Sequence, residues 1–289
     1  MLKQQTIADI ISKYHSKDKS LNIDIETLLS HSMSPKYSRL DLHREPERKL
    51  TQQQAGRFYD NLKLYRDDYP LAYILGHTEF MSLDFITRPG VLIPRPETEF
   101  LVEAALAALK TIAHPVVMDI GTGSGNIAVS IAKHTKAQNI RIFASDISLK
   151  ALSIAHLNAR KHKVSRFITF CKGDLFNAFR NYHLEGKVDI IVSNPPYVAY
   201  SESCILGPGV RKYEPKEALF APGNGLSFYK TIISSAPRYL KLGGYVILEM
   251  SYNKSKLIKE LVAKSGYFDN IRSIKDYNNI ERVIIAKRM

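Results

Sequence analysis

The chain reads as an α/β protein: a parallel sheet of seven strand-like runs covered by helices on both faces, preceded by a small helical domain. Three observations predict this. From Pro115 onward, short apolar runs alternate with amphipathic helical patterns, as a parallel sheet with crossover helices requires. Before Tyr69 the apolar residues recur only at helical spacing. At 289 residues and 45% hydrophobic composition there is material for one large core and a smaller one.

In chain order, Ile7, Ile10, Ile11 and Tyr14 form the first stripe, Ile25, Leu28 and Leu29 the second, and Phe58, Tyr59, Leu62 and Tyr65 the last. Each is short, so these helices must pack on one another to persist. Pro35 to Arg48 is polar, carries two prolines and reads as connection with a short helix. Residues 1–69 are thus expected to form a helical bundle, serving either substrate recognition or as a structural cap. Residues 70–97 are expected to be a linker with a β-hairpin, Gly90 lying between β-like runs through Phe85–Ile86 and Val91–Ile93. Pro94 and Pro96 exclude a helix there, and a helix runs from Glu97 to Leu109.

Residues 98–289 are expected to be the catalytic domain. Its strands are read at Val116–Ile120, Ile140–Ser145, Phe167–Cys171, Val188–Ser193, Tyr245–Met250, Ile271–Lys275 and Val283–Ala286. Helices fall at Asn126–His134, Leu149–Lys161, Leu226–Leu240 and Lys254–Ser265. Val198 to Gly225, rich in Gly and Pro, reads as a long functional loop.

The formal charge of +13 fits a phosphate-rich partner, but Lys and Arg are scattered with no basic recognition block. Direct nucleic-acid binding is therefore not expected, although the charge leaves it open. Cys171 and Cys204 cannot build a disulfide framework or a zinc site, so no metal is expected. With no signal-peptide pattern and no long apolar span, the expected location is the cytoplasm, away from the membrane.

Two motifs carry chemistry. The first is Asp119-Ile-Gly121-Thr122-Gly123-Ser124-Gly125, between a strand and a helix. Its G-x-G-x-G spacing differs from the dinucleotide fingerprint, and it lacks the Lys-Ser/Thr of a P-loop. Asp119 before the glycines suits a cationic ligand, which favours S-adenosylmethionine over NAD. Asp146 ends the second strand, where a carboxylate can accept from ribose hydroxyls. Asp174, in GDLF, is placed to accept from the adenine amine, with Leu175 or Phe176 against the ring. The second motif is Asn194-Pro195-Pro196-Tyr197, closing the fourth strand. The prolines offer carbonyl oxygens without N–H donors, Asn194 adds a side-chain oxygen, and Tyr197 adds an aromatic face. Such a corner suits a planar –NH2 group, with the Asn194 oxygen and the Pro195 carbonyl as its acceptors.

With IPRPETE (93–99), DIGTGSG, VSNPPY and PLAYILG (70–76), together with Ala236-Pro-Arg-Tyr-Leu240 and Gly243-Gly244, the chain resembles the release-factor glutamine methyltransferases, the PrmC/HemK family. The resemblance implies a Rossmann-like, seven-stranded S-adenosylmethionine-dependent methyltransferase sheet. It implies N5-methylation of the glutamine in the Gly-Gly-Gln loop of class I peptide chain release factors, with S-adenosylhomocysteine as product. Carried over, Gly121 to Gly125, Asp146, Leu175 and Asn194 contact the donor, and Asn194 to Tyr197 the glutamine, with Arg95 and Glu97 bordering. One departure is Asn278-Asn279, where the family usually carries glycine; Asn tolerates positive φ, so the turn is expected to survive. The rival enzyme is an N6-adenine methyltransferase on RNA or DNA; the non-enzyme rival is a binding scaffold.

Overall fold

A computed structural model describes residues 5–34 and 37–289. The chain divides into two compact units, Met1–Gly76 and His77–Met289. In the first, helices span Ile7–Tyr14, Lys19–Met33, Arg39–Arg44, Gln52–Arg66 and Leu71–Leu75. Thr6 with Asp9, Ser38 with Asp41, and Thr51 with Gln54 each close a capping box, which supplies partners for the first free N–H groups. Ile7, Ile10, Leu28, Leu29, Leu42 and Phe58 are fully buried together, so the three stripes meet in one core. The short helix expected between Pro35 and Arg48 is Arg39–Arg44; Pro35 and Lys36 themselves lie outside the described residues. Pro70 opens Leu71–Leu75 and Gly76 ends it in the left-handed region, at φ 79°.

The second unit opens with a hairpin of β1 (His77–Phe80) and β2 (Leu83–Ile86). Its turn is Met81-Ser82, both at positive φ, and not Gly90 as the glycine suggested. A two-residue loop with both φ positive matches the twist of paired strands, so pattern and local chemistry disagree here and the twist wins. Gly90 turns the chain separately at φ 90°. A 3-10 turn at Pro96–Thr98 then leads into the helix Glu99–Leu109, so the α-helix starts two residues later than the proline pattern suggested.

The main sheet comprises β3 (Val116–Ile120), β4 (Arg141–Asp146), β5 (Ile168–Lys172), β6 (Val188–Ser193), β7 (Leu240–Glu249), β8 (Phe268–Lys275) and β9 (Glu281–Arg288). Their order is β5-β4-β3-β6-β7-β9-β8. β3 to β7 are parallel; β9 is antiparallel to both neighbours, so the sheet is mixed rather than wholly parallel. Alternation along the strands assigns each residue a face. Val117, Ile142, Ile190, Val192 and Ile247 pack toward Glu99–Leu109 and Asn126–His134, while Met118, Ile120, Ile191, Val246 and Leu248 pack toward Ser227–Tyr239 and Ser255–Lys264. Burying each such side chain contributes roughly 1.5–3 kcal/mol.

The segment after β6, read from sequence as one long loop, is built of short turns and helices. It holds a 3-10 turn at Tyr200–Ile205 and short helices at Pro208–Tyr213 and Lys216–Leu219. Val198 N donates to Leu219 O, and Ala221 N to Val198 O, which folds the segment back on the corner after β6. Near the terminus, Asn279 sits at φ 62°, and Asp276 Oδ1 accepts from Asn278 N and Ile280 N, so the turn closes without glycine.

Candidate active site

From β3 the chain runs outward through β4 to β5, then returns to the other side of β3 with β6 and β7. The crevice at the carboxyl ends of β3 and β6 is therefore a topological switch point, where ligands bind in open α/β sheets. A cavity of about 310 Å³ lies there, lined by Gly121, Gly123, Asp146, Asp174, Leu175, Asn194, Pro195, Pro196 and Phe220 among others.

The glycine loop is held by its own hydrogen bonds. Thr122 N donates to Ser145 O at 2.8 Å, and Gly125 N to Thr122 O at 2.8 Å. Gly125, at φ 80°, ends the loop; a Cβ there would lie 3.0–3.1 Å from Ala155, so neither backbone nor space admits a larger residue. Asn158 ties this loop to the hairpin: Nδ2 donates to Ser124 O and Ile86 O, and Oδ1 accepts from Ile86 N. Asp146 Oδ2 accepts from Gly123 N at 2.9 Å, and Oδ1 from Ser148 N at 2.8 Å. Thus Asp146 fixes the loop while lining the cavity, and burial raises its carboxyl above the ordinary range.

Of the residues read from sequence, Gly121, Gly123, Asp146, Asp174, Leu175, Asn194, Pro195 and Pro196 meet at the cavity. Thr122, Ser124, Gly125 and Tyr197 are not among its lining residues; the first three shape the loop from behind. Phe176 stacks on Tyr239 inside the core, so of the pair Leu175 and Phe176 only Leu175 faces the cavity. Tyr197 packs between the core and Val198, Leu219 and Phe220. Asp119 is fully buried: Oδ2 accepts from Thr122 Oγ1 at 2.6 Å, and the Ala128 N–H also favours the charged form.

Burial pushes the Asp119 carboxyl up to about 7. The folded state therefore holds a proton that the unfolded chain releases near its ordinary value of 3.8, so stability falls as pH rises from about 4 to 7. Asp119→Asn is expected to shrink the difference in unfolding free energy between about pH 5 and pH 8. Urea titrations at the two pH values check this; an unchanged difference would contradict it.

The cavity's electrostatics are opposite to the chain's. Asp146, Asp174 and Glu217 line it, and among the described residues lining it there is no Lys, Arg or His. A phosphate ligand would find no cation there, whereas a sulfonium bearing an ammonium would find carboxylates. Asp119, behind the loop, adds negative potential when ionised. The donor set therefore fits S-adenosylmethionine.

At the corner, Asn194 Nδ2 donates to Thr98 Oγ1 at 3.1 Å. Among the described residues, neither Asn194 Oδ1 nor the Pro195 carbonyl accepts a hydrogen bond, so acceptors are left over beside the cavity. Lys254, 5% exposed, donates to Tyr197 O at 3.0 Å and pairs with Glu202, fixing the far side of the turn. Glu214, buried, accepts from Arg95 Nη2 and from Ile93 N, which pins the IPRP segment. Sequence reading missed Thr98, Glu249, Asn158, Lys254 and Glu214. Glu249 had a visible signal, a single carboxylate within an apolar run (YVILEM), as Asp119 is in VVMDI.

This sheet, its glycine loop and its anionic crevice define an S-adenosylmethionine-dependent methyltransferase, and residues 113–285 match the family described as "Methyltransferase domain". Residues 15–76 match the family described as "PrmC N-terminal domain". Relatives named release factor glutamine methyltransferase include one from Moorella thermoacetica, 36% identical over 92% of this chain and 91% of its own. Another, from Clostridium acetobutylicum, is 33% identical over 98% of both chains. A third, from Fusobacterium nucleatum, is 39% identical over 76% of this chain, the alignment spanning 60% of that relative's length. The chain belongs to the release factor glutamine methyltransferase family. Among the described residues, no helix is long and apolar enough to cross a membrane.

Proposed function

We propose that this enzyme methylates the side-chain amide nitrogen of a glutamine, the one in the Gly-Gly-Gln motif of class I release factors. The observation that carries the reading is the uncommitted acceptor pair, Asn194 Oδ1 and the Pro195 carbonyl, beside an anionic cavity at the switch point. Gly121, Gly123, Asp146, Asp174, Leu175 and Asn194 would hold the donor, with Thr122, Ser124 and Gly125 keeping the loop in shape. When bound, S-adenosylmethionine supplies an electrophilic methyl group on a positively charged sulfur.

The chain's own work is positioning and charge. An amide nitrogen is a poor nucleophile because its lone pair is delocalised. Asn194 Oδ1 and Pro195 O each accept one N–H of the substrate amide, which holds the nitrogen in place and steadies the positive charge it develops. No strong base is needed, since the methylated nitrogen loses its proton readily. Pro196 contributes a rigid wall without a donor. Tyr197, inserted between the core and Val198, Leu219 and Phe220, anchors the corner rather than lining the cavity. The N-terminal helical unit is the substrate-recognition module in this reading, and the site needs no metal.

The test is methyl transfer from labelled donor to an unmethylated class I release factor, with transfer RNA, ribosomal RNA and DNA in parallel. Label on the release-factor glutamine is expected. Label in nucleic acid alone would assign the site to an exocyclic amine instead, and label nowhere would favour a scaffold.

A further inference from the structure

The carboxylate that closes β7 is buried against the catalytic corner without being part of it. Glu249 is 3% exposed, and its Oε2 accepts from Thr98 Oγ1 at 2.6 Å. Thr98 is 1% exposed, and its oxygen accepts from Asn194 Nδ2 at 3.1 Å. The three residues come from separate parts of the chain: the turn Pro96–Thr98, the end of β7 and the corner after β6.

A hydroxyl has one proton to give. While Thr98 gives it to the Glu249 carboxylate, only lone pairs remain toward Asn194. Asn194 must then turn its NH2 to Thr98, and Oδ1 points the other way. An amide that is free to rotate would present either end. We propose that Glu249 and Thr98 are positioning residues that lock the Asn194 amide with Oδ1 toward the substrate nitrogen, and that the lock holds only while Glu249 is ionised. The proposal rests on Asn194 being the substrate's acceptor.

A protonated Glu249 would donate to Thr98 instead. The Thr98 proton would then turn to Asn194, whose amide would flip and show NH2 to a substrate NH2, donor against donor. Burial pushes the Glu249 carboxyl up to about 7, and the nearby Glu97 adds to this. The Thr98 hydrogen bond opposes it, as do Arg282 and Arg95, although Arg282 is paired with Asp276 and Arg95 with Glu214. Tyr197 and Tyr229 also face the carboxyl's surroundings, the latter donating to Glu249 O at 2.8 Å. Turnover is therefore expected to fall as pH drops through about 7.

The experiment is single-turnover methylation of an unmethylated class I release factor at saturating donor, across pH, with S-adenosylhomocysteine affinity measured by calorimetry. Thr98→Val is expected to slow turnover about 10²-fold with product affinity within about threefold, and Thr98→Ser to recover most of the rate. Glu249→Gln is expected to be slow and to lose the acid limb, whereas Asp119→Asn keeps it, separating the two raised carboxyls. Wild-type turnover in Thr98→Val, or an unchanged acid limb in Glu249→Gln, would overturn the proposal. Should Thr98→Val fail to fold, the profiles of Thr98→Ser and Glu249→Gln decide alone. A wild-type enzyme that labels only nucleic acid defeats the glutamine reading instead, and the same variants then read the lock on that substrate.

Discussion

Asn194→Ala is expected to reduce methyl transfer by about 10²–10³-fold, the usual loss when one aligned group facing developing charge is removed. The substitution deletes Oδ1, one of two acceptors for the substrate amide, and leaves Thr98 Oγ1 without its donor. Asn194 is only partly buried and follows the end of β6, so the melting temperature should change by a few degrees at most. The useful comparison is Asn194→Asp. It keeps an acceptor, but a carboxylate would face the Thr98 lone pairs while Thr98 donates to Glu249, so it should also be slow near neutral pH. Measured as single-turnover rates with donor saturating, both losses should fall on the chemical step. Full activity in either variant would remove Asn194 from the role given to it.

Gly225→Ala is expected to be the most damaging single-methyl change outside the cavity. Gly225 sits at φ 80°, and a Cβ there would lie 2.2 Å from Tyr197 O and 2.9 Å from Lys254 Nζ. The carbonyl belongs to the corner itself, so it cannot give way without moving the Asn194-to-Tyr197 turn. Lys254, whose ammonium holds that carbonyl and Glu202, would be displaced with it. A loss of a few kcal/mol in stability is expected, together with turnover lower by at least about 10²-fold. Gly223→Ala gives the control: its φ of 60° also lies in the left-handed region, but its nearest neighbour is Ser227 Cβ at 3.9 Å. If the two variants melt and turn over alike, the close approach at Gly225 has no consequence and the argument for a pinned corner fails.

Much of this site was legible because β3, β4 and β6 each carry, at or just past their carboxyl end, a polar residue that their apolar runs do not otherwise use. Asp119, Asp146 and Asn194 stand out against the apolar runs before them, and the parallel pairing of β3 with β4 and β6 brings the carboxyl ends of those runs to one sheet edge. The glycines of the loop were readable for the same reason, as residues unsuited to a strand or helix interior. What could not be read was how side chains far apart in sequence meet. Thr98 looks like an ordinary helix-start residue until Glu249, 151 positions away, is placed beside it. Tyr197 was read as a stacking face because an aromatic residue follows two prolines, yet packing against Val198, Leu219 and Phe220 draws it away from the cavity. The hairpin was misplaced because Gly90 is a strong turn signal, whereas Met81-Ser82 is a weak one that strand pairing overrides. The Gly- and Pro-rich segment after the corner reads from sequence as a long functional loop; its backbone pairs with Val198 and builds one wall of the cavity through Phe220.

The most direct measurement is a crystal structure of the protein with S-adenosylhomocysteine and a peptide carrying the Gly-Gly-Gln sequence. The expected result places the nucleoside against Asp146, Asp174 and Leu175, with the glutamine amide donating to Asn194 Oδ1 and Pro195 O and its nitrogen facing the sulfur. A sulfur directed away from Asn194, or a glutamine held by other groups with those two oxygens in solvent, would contradict the account.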